Sequence, residues 1–117
     1  NAFWVAEDGE NVIDDTGTVP LSFFTDTDPD WADKFHIWTE DWNENEMKIY
    51  VDDCLVNTID LTQSFNRGGA HVGENPLRQP HYLKFNLAIR GREKDPVDPA
   101  ALPMQMEVDW VRVYRQN

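Results

Sequence analysis

A period of two constrains this chain more than any other feature. In "HYLKFNLAI", His81, Leu83, Phe85, Leu87 and Ile89 fall on one side and Tyr82, Lys84, Asn86 and Ala88 on the other. Side chains that alternate in this way suit a half-buried strand and not an amphipathic helix. The same alternation runs through "NAFWVA", "KFHIWTEDW", "MKIYV", "CLVNTIDL" and a long terminal stretch, "MQMEVDWVRVYR", from Met104 to Arg115. The expected fold is therefore all-β, with short antiparallel strands burying alternate residues between two sheets as a β-sandwich.

Turn chemistry separates these stretches. Asp52-Asp53 stands between two strand-like runs and predicts a two-residue hairpin, because Asp tolerates left-handed backbone. "EDGENVIDDTGTVP" (Glu7 to Pro20) and "TDTDPDWAD" (Thr25 to Asp33) read as surface loops. Thr62 to Pro80, "TQSFNRGGAHVGENPLRQP", is long and rich in Gly, Asn and Pro, so it is expected to carry function or to move. "RGREKDPVDPAALP" reads as a second long loop.

A chain of 117 residues has the length of one domain, and 40% hydrophobic residues are enough for a core. Its 22 acidic against 10 basic side chains, a net charge of -12, exclude a basic stripe of the kind that binds nucleic acid or an anionic membrane surface. A neutral ligand suits that charge. Cys54 is the single cysteine, so no intrachain disulfide forms and a packed thiol is expected.

Which side chains could carry chemistry? Tyr82, Lys84 and Asn86 line one face of the 81–89 stretch, an aromatic, an amine and an amide in a row. A sheet surface holding a polar ligand looks like this, and so does an ordinary solvated sheet face. Five tryptophans, Trp4, Trp31, Trp38, Trp42 and Trp110, are many for so short a chain, and sugar rings stack on such faces, although a core also uses them. By alternation His36, Trp38, Glu40 and Trp42 share a face, which suits a wet cleft. His36, His71 and His81 lack the spacing of a transition-metal site. Calcium needs only carboxylates and carbonyls, and Asp109 is the candidate ligand, an exposed surface Asp being the other reading. Ser22, Ser64 and Cys54 lack the glycine-flanked sharp turn of an activated nucleophile. Paired carboxylates remain as candidates for acid-base chemistry.

Three segments in order, "KFHIWTEDWNENEMKIYVDDCLVNTIDL", "NPLRQPHYLKFNLAIRG" and "MEVDWVRVYRQ", resemble the C-terminal part of the laminarinase-like catalytic domains of family 16 glycoside hydrolases. The resemblance spans about Trp31 to Gln116. It implies a jelly-roll sandwich whose concave sheet forms an open cleft for polysaccharide. It also implies endo-hydrolysis of β-linked glucan or galactan with retention, and an extracellular or periplasmic location.

The family's catalytic strand reads Glu-x-Asp-x-Glu or Glu-x-Asp-x-x-Glu. No such pattern occurs here: "EVDWVR" begins like it, but Arg112 stands where an acid is needed. The resemblance therefore places the catalytic acids before Asn1, and the 117 residues are expected to be the later, inactive portion of one domain. The missing N-terminal half would then be a partner. Asn86 matches a cleft asparagine, Asn1 and Phe3 fall near cleft-lining positions, and Asp109 matches a ligand of a structural calcium; no catalytic cofactor is implied. Lys84 departs from a usual apolar residue and Arg90 from a usual glycine. A non-catalytic carbohydrate-binding sandwich and a plain structural β-domain are the competing readings.

Overall fold

A computed structural model describes residues 2–88 and 97–115, so Asn1 and Arg90 lie outside the described residues. The chain forms two compact units, Asn1–Pro80 and His81–Asn117.

The first unit is built of antiparallel strands. β1 (Ala2–Val5) pairs with β2 (Val12–Asp15), and β3 (Trp38–Trp42), β4 (Glu46–Val51) and β5 (Cys54–Asp60) form a three-stranded sheet in that order. Among the described residues of both units, helix is confined to one turn, α1 (Ser22–Thr25), and to 3-10 turns at Trp31–Asp33, Pro76–Arg78 and Pro99–Ala101. The class is all-β and antiparallel, in keeping with part of a jelly-roll sandwich.

Alternation decides what is buried. Ala2 and Trp4 turn inward from β1, Met47 from β4 and Ile59 from β5, and with Leu61 they make one core cluster on which Ile13, Ile49 and Leu77 pack. The two sheets therefore share a core. Asp52 and Asp53 have φ of 48° and 65°, the two left-handed residues of a type I′ turn, and they connect β4 to β5 as expected. A bulge at Ile49/Tyr50 interrupts that pairing. At the β3–β4 turn, the Asn43 Oδ1 accepts the N–H groups of Asn45 at 2.8 Å and Glu46 at 3.0 Å.

Three expectations need correction. Residues 7–20 are not all loop: β2 lies within them. The Asp8 carboxylate accepts the N–H groups of Glu10 and Asn11 and so closes a hairpin that brings Val12 and Ile13 back along β1. The strand expected from Lys34 begins only at Trp38, because His36 and Ile37 are drawn to Asp52. In the second unit, residues 81–88 and 104–115 alternate in sequence, yet none of them is in a strand and all are exposed. Alternation states which side of a strand would be buried, whereas a strand forms only where a neighbour takes its N–H and C=O groups.

The loop 62–80 is fastened rather than free. The Ser64 hydroxyl donates to the Asp60 carbonyl at 2.7 Å, and the Asn75 amide to the Leu61 carbonyl at 2.6 Å. Ser64, Asn66 and Asn75 are its buried polar residues.

Candidate functional site

On β1, Phe3 alternates with the buried Ala2 and Trp4 and so faces away from the core, 47% exposed. Its cross-strand partner is Asp14, and the next pair on that face is Val5 with Val12. Such an aromatic can stack on a sugar ring while the neighbouring carboxylate accepts hydrogen bonds from its hydroxyls.

Trp38 and Trp42 lie elsewhere. Their partners are Val51 and Met47, both buried, so the two indoles belong to the core-side face of the three-stranded sheet, where Trp38 is nevertheless 68% exposed. Trp42 borders an open groove of about 440 Å³ with Asn43, Glu44, Leu77, Arg78 and Gln79. Phe3 thus lies on a sheet face turned away from the core and Trp38 on a core-side face, so alternation does not put them on one face.

His36 is the centre of a different cluster. Its ring stacks on Trp31 with centroids 3.8 Å apart, and Trp31 stacks on Phe24 at 4.5 Å. The His36 Nδ1 lies 2.5 Å from Asp52 Oδ2 and the Nε2 lies 2.5 Å from the Trp31 carbonyl oxygen. A carbonyl and a carboxylate both accept, so both contacts are hydrogen bonds together only when both ring nitrogens carry protons, the imidazolium form. With its side chain 11% exposed, His36 works as a staple between the Trp31 turn and the β4–β5 hairpin.

The electrostatics follow from these bonds. The Trp31 carbonyl and then Asp52 hold the His36 pKa above its usual 6.5. The Ile37 N–H, 2.9 Å from Asp52 Oδ1, and then His36 hold Asp52 below 3.8. A raised histidine contributes stability that is complete below 6.5 and is lost as pH rises through the folded value. A depressed carboxylate contributes stability that is lost only as pH falls below 3.8. The staple therefore holds between those limits. Thermal melting of the wild type is expected to lose more between pH 6.5 and alkaline pH than melting of His36→Gln; parallel profiles would show that the staple does not titrate.

Asn86 and its neighbours Tyr82 and Lys84 are exposed in the second unit, in irregular backbone. Asp109 is exposed as well. Among the described residues no group of three or more His, Cys, Asp or Glu could hold a metal ion.

Sequence reasoning missed Asn66, whose amide binds β1 from 61 residues away. The adjacent Gly68-Gly69 was the available signal, because paired glycines in a loop mark close backbone approach. A carbon added at Gly68 would stand 2.5 Å from the Ala6 carbonyl oxygen.

The profile of a family described as glycosyl hydrolases family 16 matches residues 9–112. The chain is 31% identical over 89 residues to a glucan endo-1,3-beta-glucosidase A1 of Niallia circulans, covering 74% of this chain and 13% of that protein. It is 35% identical over 83 residues to a beta-glucanase of Rhodothermus marinus, with coverages of 69% and 29%. A beta-1,3-glucan-binding protein of Penaeus monodon is 33% identical over 90 residues, with coverages of 62% and 25%. The chain thus spans less than a third of the length of each of these relatives. No solved structure matches it significantly.

Proposed function

The chain belongs to family 16 of the glycosyl hydrolases, and from that premise we propose that it is the later part of an endo-hydrolase of β-linked glucan that acts with retention of configuration. The match over 9–112, together with relatives named for β-glucan cleavage, carries this reading. In a retaining mechanism one carboxylate attacks the anomeric carbon and expels the leaving sugar, while the other carboxylic acid protonates the leaving oxygen. The two groups stand about 5 Å apart, and water then resolves the glycosyl-enzyme with the second group as base. In this reading both acids lie before Asn1, and the 117 residues contribute glycan contacts and the sandwich that holds them. Asn1, Phe3 and Asn86 are the proposed contacts. A structural calcium on Asp109 would draw its other ligands from backbone carbonyls or from residues outside those described.

A second reading is that the protein binds glycan without cutting it, which the likeness to a protein named for β-1,3-glucan binding favours. One assay separates the two. The full-length protein is incubated with laminarin, mixed-linkage glucan and an agar-type galactan, and reducing ends are counted while NMR follows the anomer first released. Retention predicts β-anomer first. Glycan binding with no new reducing ends supports the second reading, and neither binding nor cleavage overturns both. Asn86→Ala is expected to weaken glycan affinity or turnover about tenfold, the size of one lost hydrogen bond to a sugar hydroxyl, with melting temperature little changed. Equal loss of stability and activity would make Asn86 structural.

A further inference from the structure

We propose that Asn66 is a positioning residue for the glycan-facing strand: its side-chain oxygen takes the place of a ladder partner for β1 and so fixes which residues of β1 face outward. The inference rests on the reading that Phe3 and its face of β1 meet the glycan.

Val5 turns both backbone groups toward the loop. Its N–H donates to the Asn66 Oδ1 at 2.9 Å, and its C=O accepts the Arg67 N–H at 2.8 Å. Its neighbour Ala6 bonds the other way, donating to the Asn11 carbonyl at 2.9 Å in the hairpin. β1 is therefore held on one side by β2 and on the other by two loop residues.

That second side matters because β1 and β2 have only four residues each. An isolated two-stranded hairpin is marginal in water, and a slip of one residue exchanges the two faces of a strand. In β1 such a slip would turn Trp4 outward and Phe3 into the core. On the β2 side the core face, Ala2 and Trp4 with Ile13 packed beside them, specifies the register through four residue pairs. The bonds at Val5 add a second specification on the loop side.

Asn66 is suited to the task because its own backbone is already committed. Its N–H donates to the Glu74 carbonyl at 2.9 Å and its C=O accepts the Gly73 N–H at 2.8 Å, closing the neck of the loop. Only the side chain is left to reach across, and with Asn66 9% exposed the amide works out of water, where a polar contact is costly to leave unmade. The loop expected to carry function or to move is thus tied to a binding strand and sets its position.

The test uses the full-length protein and three variants. Asn66→Ala removes the acceptor, Asn66→Asp keeps an oxygen at the same reach, and Phe3→Ala tests the glycan reading separately. Amide exchange at Val5 is expected to speed up in Asn66→Ala while Ile59 stays protected. The KM for the polysaccharide that the protein accepts, or the Kd if it only binds, should rise about tenfold with kcat little changed. Asn66→Asp should stay near wild type. Should the alanine variant not fold, Asn66→Ser, which withdraws the oxygen from Val5, takes its place with the same expectation. Unchanged exchange at Val5, or an Asp variant as impaired as the Ala variant, overturns the positioning role while the glycan reading stands. If Phe3→Ala leaves affinity unchanged, the glycan reading of β1 fails and the inference with it.

Discussion

Truncating Ile59 to alanine is expected to destabilise the first unit by about 4 kcal/mol, in the upper part of the range for Ile→Ala. Ile59 is fully buried, at 0% exposure. It lies on β5 opposite Met47 of β4 and packs in one cluster with Ala2, Trp4 and Leu61. Collapse into the space it leaves is restricted. Met47 and Ile59 are fixed in register by the ladder, and Leu61 is tied through its N–H to the Asn45 carbonyl at 2.8 Å. The vacated volume should therefore persist as a cavity and add to the lost transfer energy. Ile59→Val removes a single methylene and should cost about 1 kcal/mol. Denaturant unfolding of the full-length protein measures both, through a shift of midpoint at constant slope. A cost below about 1 kcal/mol for the alanine variant would mean that this cluster is not the core of the unit.

Gly68→Ala should cost about 3 kcal/mol, the upper end of what an inserted carbon costs in a packed site. The added Cβ would lie 2.5 Å from the Ala6 oxygen, 2.7 Å from the Glu7 oxygen and 2.8 Å from the Gly9 nitrogen. All three are backbone atoms of the β1–β2 hairpin, and none can rotate away as a side chain could. Gly69 is the internal control. It has a φ of +74°, so alanine there is conformationally strained, but its nearest neighbours stand at an ordinary 3.7 Å. Gly69→Ala should therefore cost about 1 to 2 kcal/mol, the penalty of a left-handed residue. The order of the two melting temperatures decides the matter: if Gly69→Ala is the worse, close approach of the hairpin to the loop is not what holds them. Gly68→Ala should also speed exchange at Val5, because the same loop binds β1.

The β4–β5 hairpin was legible because everything that makes it is local: two apolar runs, and Asp52-Asp53 able to take positive φ. β1 was legible too as a strand, whereas the inward turn of Trp4 and the outward turn of Phe3 are read from the structure. β2 was hidden because only Val12 and Ile13 precede two aspartates, and its pairing depends on the Asp8 carboxylate closing the hairpin. In 81–88 and 104–115 the alternation was visible, but alternation carries no information on whether a neighbouring strand is at hand. The shared face of His36 and Trp38 failed for a related reason: His36 precedes the ladder, and its orientation is set by Trp31 and Asp52. For Asn66 the paired glycines Gly68-Gly69 signalled a close approach of the loop, but one asparagine among several there does not announce a bond 61 residues away.

The Asp52 turn has a consequence for redesign. Asn-Gly or Gly-Gly is the locally preferred filling of a turn with two left-handed residues, and a consensus procedure that scores turns one at a time would replace Asp52 first. The same carboxylate anchors the Ile37 amide and the His36 ring. Local and distant demands compete at one position, and the native residue is a compromise that favours the distant one. Idealising the hairpin would leave a more comfortable turn and a looser entry into β3.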